Sequence, residues 1–329
     1  MKGFWRRFEG PTWLVAVTIY GGWIGLALGH RFIPLAIALP FGVYLTAWQS
    51  SLQHETIHAL RRVPRAVRTL LASAPLGIWF PYEWYRCVHL RHHATRDLAG
   101  RHDPETFYHE PEAWSRMCAT LQALYLLNQT FAGRLVLGPA LQISRTYAGE
   151  LRRLLRGDTS YAAVWCGHFV LVGGLLWLLA CCGVNPIAYV VCVAYPAASL
   201  ALVRSFAEHR YARSFRERTA IVESRSALSL LFLNNNLHAV HHRYPALPWF
   251  ELPGQYRIDR ERNLFAKEPP PVRGYRTVAR SWLWRPIDFP FAGQSLDRGA
   301  FASPAPRLRN TRRRVATRVR AASPPADTA

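Results

Sequence analysis

Eight histidines fall in three tight groups and a ninth stands apart. His54 and His58 lie in His-Glu-Thr-Ile-His. His89, His92 and His93 lie in His-Leu-Arg-His-His, and His238, His241 and His242 in His-Ala-Val-His-His. His209 follows Phe-Ala-Glu. A neutral imidazole is a ligand for iron, zinc and copper. On a helix, positions i, i+3 and i+4 share a face. H-x-x-x-H therefore aims two rings one way, and H-x-x-H-H aims three. Such a set exceeds the four ligands of one zinc ion. It predicts two metal ions with open positions, and a nitrogen shell favours iron over magnesium or calcium, which take oxygen. The other histidines, His30, His102, His109 and His168, are single and read as surface or packing residues.

A rival chemistry uses the first group alone. His54-Glu55-Thr56-Ile57-His58 also satisfies H-E-x-x-H, two zinc ligands with a glutamate base. An intramembrane zinc metalloprotease is thus a second class of function. It leaves both H-x-x-H-H groups without a role and finds no clear third zinc ligand in an apolar span. Metal content separates the two: about two irons per chain against one zinc.

Several neighbours are weaker candidates. Glu55 and Glu208 could orient imidazoles through the second ring nitrogen, or lie on a solvated face. Asp97 and Asp103 follow the second group, and His102-Asp103-Pro104-Glu105 reads as an interfacial turn. Asn235 and Asn236 precede the third group, where they could bind a metal-bound water or cap the helix. Trp79, Trp84 and Tyr85 fit either an acyl tunnel or an aromatic belt at the membrane interface.

The elements that must carry these residues are visible as uncharged windows. Residues 10–30, 32–53 and 159–203 contain no Asp, Glu, Lys or Arg. About 20 helical residues cross a bilayer core, so the first two windows are one span each. The third holds two, broken at Gly183-Val184-Asn185-Pro186. The spans expected are 12–30, 33–51, 161–181 and 186–204, in two hairpins. Residues 69–82 and 117–133 are uncharged but too short or too polar to span. The fold class expected is all-α: a polytopic membrane protein with four transmembrane helices and a cytoplasmic helical cap holding the metal site. Residues 1–11 form a cytoplasmic stub, 12–304 the membrane domain with its cap, and 305–329, rich in Arg, Pro and Ser, a disordered basic tail.

Orientation follows from arginine. Lys2, Arg6 and Arg7 precede span one. Arg61, Arg62, Arg65, Arg68, Arg86, Arg91, Arg96 and Arg101 follow span two, and the segment after span four begins Arg204, Arg210, Arg213, Arg216 and Arg218. The first hairpin turn holds only Arg31, and the second holds no basic residue. Basic loops stay cytoplasmic, which places both termini and all nine histidines on the cytoplasmic side of the inner membrane. The same loops account for much of the net charge of +21, so no nucleic-acid partner is needed. The high apolar fraction excludes a disordered chain. The six cysteines form no C-x-x-C pair and give no disulfide framework. The first apolar run is too long for a signal-peptide core.

The three boxes, in this order relative to four spans, resemble the membrane fatty acid desaturase superfamily. The run Asn235-Asn236-Leu237-His238-Ala239-Val240-His241-His242-Arg243-Tyr244-Pro245, with Leu247-Pro248-Trp249 beyond it, is similar to its bacterial acyl-lipid members. The resemblance covers residues 10–255. It implies a non-haem di-iron centre in a cap above the four helices, with His209 joining the box histidines as a ligand. It implies a fatty acyl substrate, linked to lipid, CoA or a carrier protein, and dioxygen as co-substrate. The third box begins with His238 rather than Gln, and neither a His-Pro-Gly-Gly haem motif nor a rubredoxin-like pair of C-x-x-C occurs. Two electrons must then come from a separate carrier such as a ferredoxin, rubredoxin or cytochrome. Double-bond insertion is the activity expected; fatty acyl or carotenoid hydroxylases and ketolases of the same superfamily are the alternative.

Overall fold

Four helices among the described residues are long and apolar enough to cross a membrane: α1 (Gly10–Gly29), α2 (Leu35–His58), α8 (Ala162–Cys181) and α9 (Pro186–Glu208). The computed structural model describes residues 5, 7–95, 98–100, 102–209, 218–266 and 269–290. The basic tail at 305–329, Asp97, and the arginines at 96, 101, 210, 213 and 216 lie outside them. Between α2 and α8 run α3 (Arg65–Ala72), α4 (Tyr82–Ala94), α5 (Pro111–Ser115), α6 (Ala119–Asn128) and α7 (Phe131–Leu155). After α9 come β1 (Val222–Glu223), α10 (Ala227–Leu231), α11 (His238–Arg243), α12 (Leu252–Glu261), β2 (Val272–Arg273) and α13 (Gly274–Trp282). The chain is mostly helical, as expected, but β1 and β2 form a short parallel pair with Val222 opposite Val272.

Proline and asparagine set the helix starts. Pro11 lies in the first turn of α1, and Pro34 and Pro81 immediately precede α2 and α4, where a missing N–H costs nothing. The break expected at residues 183–186 is present. Gly183 takes φ +86°, which a side chain rarely adopts. The Asn185 side chain then accepts from the N–H groups of Ile187 and Ala188 at 2.9 and 3.1 Å, capping α9.

The four long helices bury one side and expose the other. Ile19, Leu52, Leu179, Ala194 and Phe206 share a core with Leu231 and Phe232. Val17, Leu28, Val170, Trp177, Ile187 and Val191 stay exposed. Bare apolar faces of this extent fit contact with lipid rather than water.

One boundary differs from expectation. The second span was expected to stop at residue 51, with the first histidine box beyond it. Instead α2 continues without a break to His58. Its polar end is satisfied internally: the Gln49 and Gln53 side chains donate to the carbonyls of Ala74 and Ala72, each at 2.8 Å. The helix ends where Leu60 turns to φ 54°, its N–H donating to Glu9 Oε1 at 2.7 Å. Both box-one histidines therefore ride on a helix long and apolar enough to cross a membrane.

The α6–α7 corner is unusually close. Thr130 caps α7 by accepting from Gly133 N–H at 2.9 Å. A Cβ at Gly133 would meet the Leu127 carbonyl oxygen at 1.8 Å. Gly133→Ala is expected to destabilise the protein by about 1–3 kcal/mol through overpacking, read as a lower midpoint of thermal unfolding in detergent. An unchanged midpoint would mean the corner relaxes freely.

Candidate metal centre

Four segments bring the nine histidines together. The end of α2 supplies His54 and His58, and α4 supplies His89, His92 and His93. His209 sits at the extended residue that ends α9, and α11 supplies His238, His241 and His242. They form two groups: His54, His58, His89, His93 and His241 in one, and His92, His209, His238 and His242 in the other, with the ring nitrogens of each group within 4.8 Å of one another. Ligands about 2.1 Å from one ion lie at most about 4.2 Å apart, so a few tenths of an ångström of inward movement would close each set.

The grouping departs from the sequence expectation in one respect. Each H-x-x-H-H was expected to aim three rings one way. In the structure the i and i+4 members go together and the i+3 member goes to the other group: His92 parts from His89 and His93, and His241 parts from His238 and His242. Positions i+3 and i+4 are neighbours in sequence, about 100° apart around the axis, so one box can serve two centres. The rings of His93 and His242 stack between the groups, 4.4 Å apart at 17°.

The nitrogens crowd one another. Nε2 of His89 lies 2.9 Å from Nε2 of His58 and 3.1 Å from that of His93, and His93 Nε2 lies 3.2 Å from His241 Nε2. In the other group His238 Nε2 lies 2.8 Å from His209 Nε2 and 3.0 Å from His242 Nε2. His54 Nε2 is buried without a partner.

Oxygen atoms behind the rings fix which nitrogen is the lone pair. His92 Nδ1–H donates to Asp103 Oδ1 at 2.8 Å, and His89 Nδ1–H to Glu105 Oε1 at 2.9 Å. His238 Nδ1 faces Asn235 Oδ1 at 3.3 Å and Glu208 Oε1 at 3.4 Å. His209 Nδ1–H donates to the Arg218 carbonyl at 3.2 Å. With each Nδ1 committed as a donor, the neutral rings of His209 and His238 present lone pairs to each other at 2.8 Å. That contact is repulsive unless a cation lies between them. The donor set therefore fits a bound metal ion in the second group, and the carboxylate–imidazole pairs are the usual outer support of such ions.

Burial keeps most of these rings neutral, as metal binding requires. Burial and the adjacent imidazoles hold His93, His238, His241 and His242 far below the ordinary histidine value. Burial, then His92, pushes His209 down to about 3. His92 runs the other way: burial lowers it, but Glu105 and Asp103 raise it more. Burial raises Asp103 and Glu105, yet the imidazoles of His92 and His89 hold both below the usual carboxylate range.

The secondary candidates divide. Glu208 touches His238 and pairs with Arg204 at 3.2 Å. Glu55 instead accepts from the Trp249 N–H at 3.0 Å. The interfacial-turn reading of residues 102–105 is corrected: Asp103 and Glu105 stand behind two histidines. The turn itself serves this end, since Asp103 also accepts from the N–H groups of Ala99 and Glu105, each at 2.9 Å. Helix capping by Asn235 and Asn236 is also corrected. No side chain caps α11; Asn236 donates to the Val222 carbonyl at 2.7 Å, and Asn235 faces His238. Trp79 and Trp84 donate to the Ala194 carbonyl and Glu150 Oε1 at 3.1 and 2.9 Å, and Tyr85 packs on His89. Sequence reading placed Glu105 in a turn and Arg204 in a basic loop, and gave neither a role at the site; Arg204 lies within α9. The only signal for Glu105 was an acid two positions after another acid downstream of a histidine box.

A model of the family described as fatty acid desaturase matches residues 30–276. No curated protein and no solved structure matches the chain.

Proposed function

Because the chain belongs to the fatty acid desaturase family, we propose that it is a membrane-bound, dioxygen-dependent di-iron oxidoreductase that inserts a double bond into a fatty acyl chain. The observation that carries this reading is the pair of converging imidazole groups, five rings and four. We assign His54, His58, His89, His93 and His241 to one ion and His92, His209, His238 and His242 to the other. The nitrogen-only donor set supports iron.

Iron and dioxygen, with two electrons from a separate carrier, supply the oxidising power to remove hydrogen from an unactivated methylene. The protein's share is position and protonation state. Asp103 and Glu105 hold the Nδ1 protons of His92 and His89, which keeps the Nε2 lone pairs directed inward. Glu208 and Asn235 do the same for His238. Burial of the rings keeps water and protons from competing for the nitrogens. The histidine-bearing end of α2 stands at the end of a membrane span, so an acyl chain approaching along the lipid reaches the site without crossing water. The basic segments that flank α2 and α9 support a cytoplasmic site, with the polar helices forming a cap over the four spans.

Two measurements test this. Purified protein should contain about two irons per chain; one zinc and no iron would favour the protease reading. Expression in a host of known lipid composition should yield acyl chains lacking two hydrogens. Acyl chains or pigments with added oxygen, and no new double bond, would instead make the protein a hydroxylase or ketolase.

Glu55 gives a sharper discrimination. An amide oxygen can still accept from Trp249 N–H, so Glu55→Gln is expected to cost about 1 kcal/mol of stability and to leave iron content and product unchanged. A general base replaced by its amide loses about 10²–10⁴-fold in rate. A loss of that size with metal retained would point to the zinc chemistry.

A further inference from the structure

The third histidine box rides on the shortest of the three helices that carry a box. α11 has six residues, where an isolated helix needs about 12–15 to persist in water, and no side chain caps its start. It also has the most exacting task. His241 turns to the five-ring group, and His238 and His242 turn to the four-ring group. Adjacent positions point about 100° apart, so any rotation of α11 about its axis moves the rings of both groups at once. Contacts from outside α11 must fix that rotation.

Ala239 and Val240 share an apolar cluster with Ile221, Leu252 and Tyr256. Apolar burial is non-directional, so it brings α11 close without setting its rotation. The directional contacts come from α12. Leu252, Tyr256 and Asp259 form the buried face of that helix, at i, i+4 and i+7. An apolar residue is the ordinary choice at the third place. The chain has an acid there, with no exposure at all. A carboxylate is costly to bury unless it is paired and hydrogen-bonded.

The partners of Asp259 lie at the end of box three. Its Oδ1 accepts from Gln255 Nε2–H at 2.7 Å and from the Tyr244 hydroxyl at 3.3 Å, and its Oδ2 lies 3.8 Å from Arg243 Nη1. Arg243 Nη2–H donates to the Leu264 carbonyl at 3.2 Å, and the Leu264 N–H donates back to the Asp259 carbonyl at 3.0 Å. Arg243 and Tyr244 are the two residues that follow His242. One buried carboxylate thus holds both side chains next to the last ligand of the box.

We propose that Asp259 is a positioning residue for both metal groups: through Arg243 and Tyr244 it locks the rotation of α11, and with it the division of His241 from His238 and His242. The effect on two ions rests on the di-iron assignment; the lock on α11 does not.

The test uses Asp259→Asn in the full-length protein, with Glu261→Gln, an exposed acid at the end of the same helix, as the control. The amide oxygen keeps Gln255 and Tyr244, while its NH₂ takes the place of Oδ2 and faces the Arg243 guanidinium, donor against donor. The chelator concentration that removes half the iron is expected to fall about 10–100-fold, with both irons leaving together. In metal-free protein, the backbone amides of residues 238–244 should exchange with deuterium faster in Asp259→Asn than in the control. Tyr244→Phe removes one contact and keeps the ring. It should move both readouts the same way by a smaller factor, and it decides the matter if Asp259→Asn fails to fold. A lowered thermal midpoint with wild-type iron retention would make Asp259 a purely structural residue and overturn the proposal, as would unchanged exchange. Faster exchange in the variant, where even the wild type binds no iron, would support the lock on α11 and overturn the di-iron reading.

Discussion

His238→Ala is expected to lower iron from about two to about one per chain and to take turnover below detection. His238 Nε2 lies within 3.0 Å of Nε2 of both His209 and His242, so its loss opens the middle of the four-ring group. It also strips Glu208 and Asn235 of the donor they face. Disturbing even an outer partner of a metal ligand costs about 10–100-fold in affinity or activity; removing the ligand should cost more. The five-ring group contains no atom of His238, so the other ion should stay. Metal analysis of purified protein, with His30→Ala as a control outside both groups, reads the result. Two irons and normal turnover in His238→Ala would remove the second centre from the mechanism.

Asp103→Asn should have the next largest effect, although the change is a single oxygen to nitrogen. Asp103 is buried and accepts three hydrogen bonds, from His92 Nδ1–H and from the N–H groups of Ala99 and Glu105. Asparagine offers one oxygen. If that oxygen keeps His92, the new NH₂ faces the Ala99 N–H, donor against donor. If it turns to Ala99, the NH₂ faces His92 and inverts its tautomer, placing the proton on the nitrogen that must hold metal. Either way the iron affinity of the His92 group should fall by about 10–100-fold, with about 1–3 kcal/mol of stability lost to the unsatisfied group. A chelator challenge followed by metal analysis distinguishes the variant from wild type. Glu105→Gln makes the milder comparison, because the hydrogen bond from His89 Nδ1–H can still be accepted by an amide oxygen. Equal iron retention by Asp103→Asn and wild type would show that the carboxylate does not set the tautomer.

Much of the site was legible because its signal is local. The spacing within each box follows from helical periodicity, and the ligand type follows from imidazole chemistry. Both survive without knowledge of the fold. His209 carried no such spacing; it was a candidate from its position after the fourth span, with the resemblance added to that, and its place in the four-ring group depends on the turn that ends α9. Glu105 was not legible. Its role depends on how the loop after α4 folds back over the box it follows, and a sequence gives no measure of that return.

The sequence by itself determined the class of candidate metal ligand, the number of helices long enough for a bilayer, and the break between α8 and α9. Those depend on composition and periodicity over stretches of one helix or less. Tertiary structure alone decided how the nine rings divide. Adjacent positions on α4 and α11 diverge by about 100°, and only the placement of these helices against α2 and the end of α9 sends His92 one way and His241 the other. It also decided which carboxylates stand behind which rings. That is a matter of a few ångströms between segments far apart in the chain, and no local pattern encodes it.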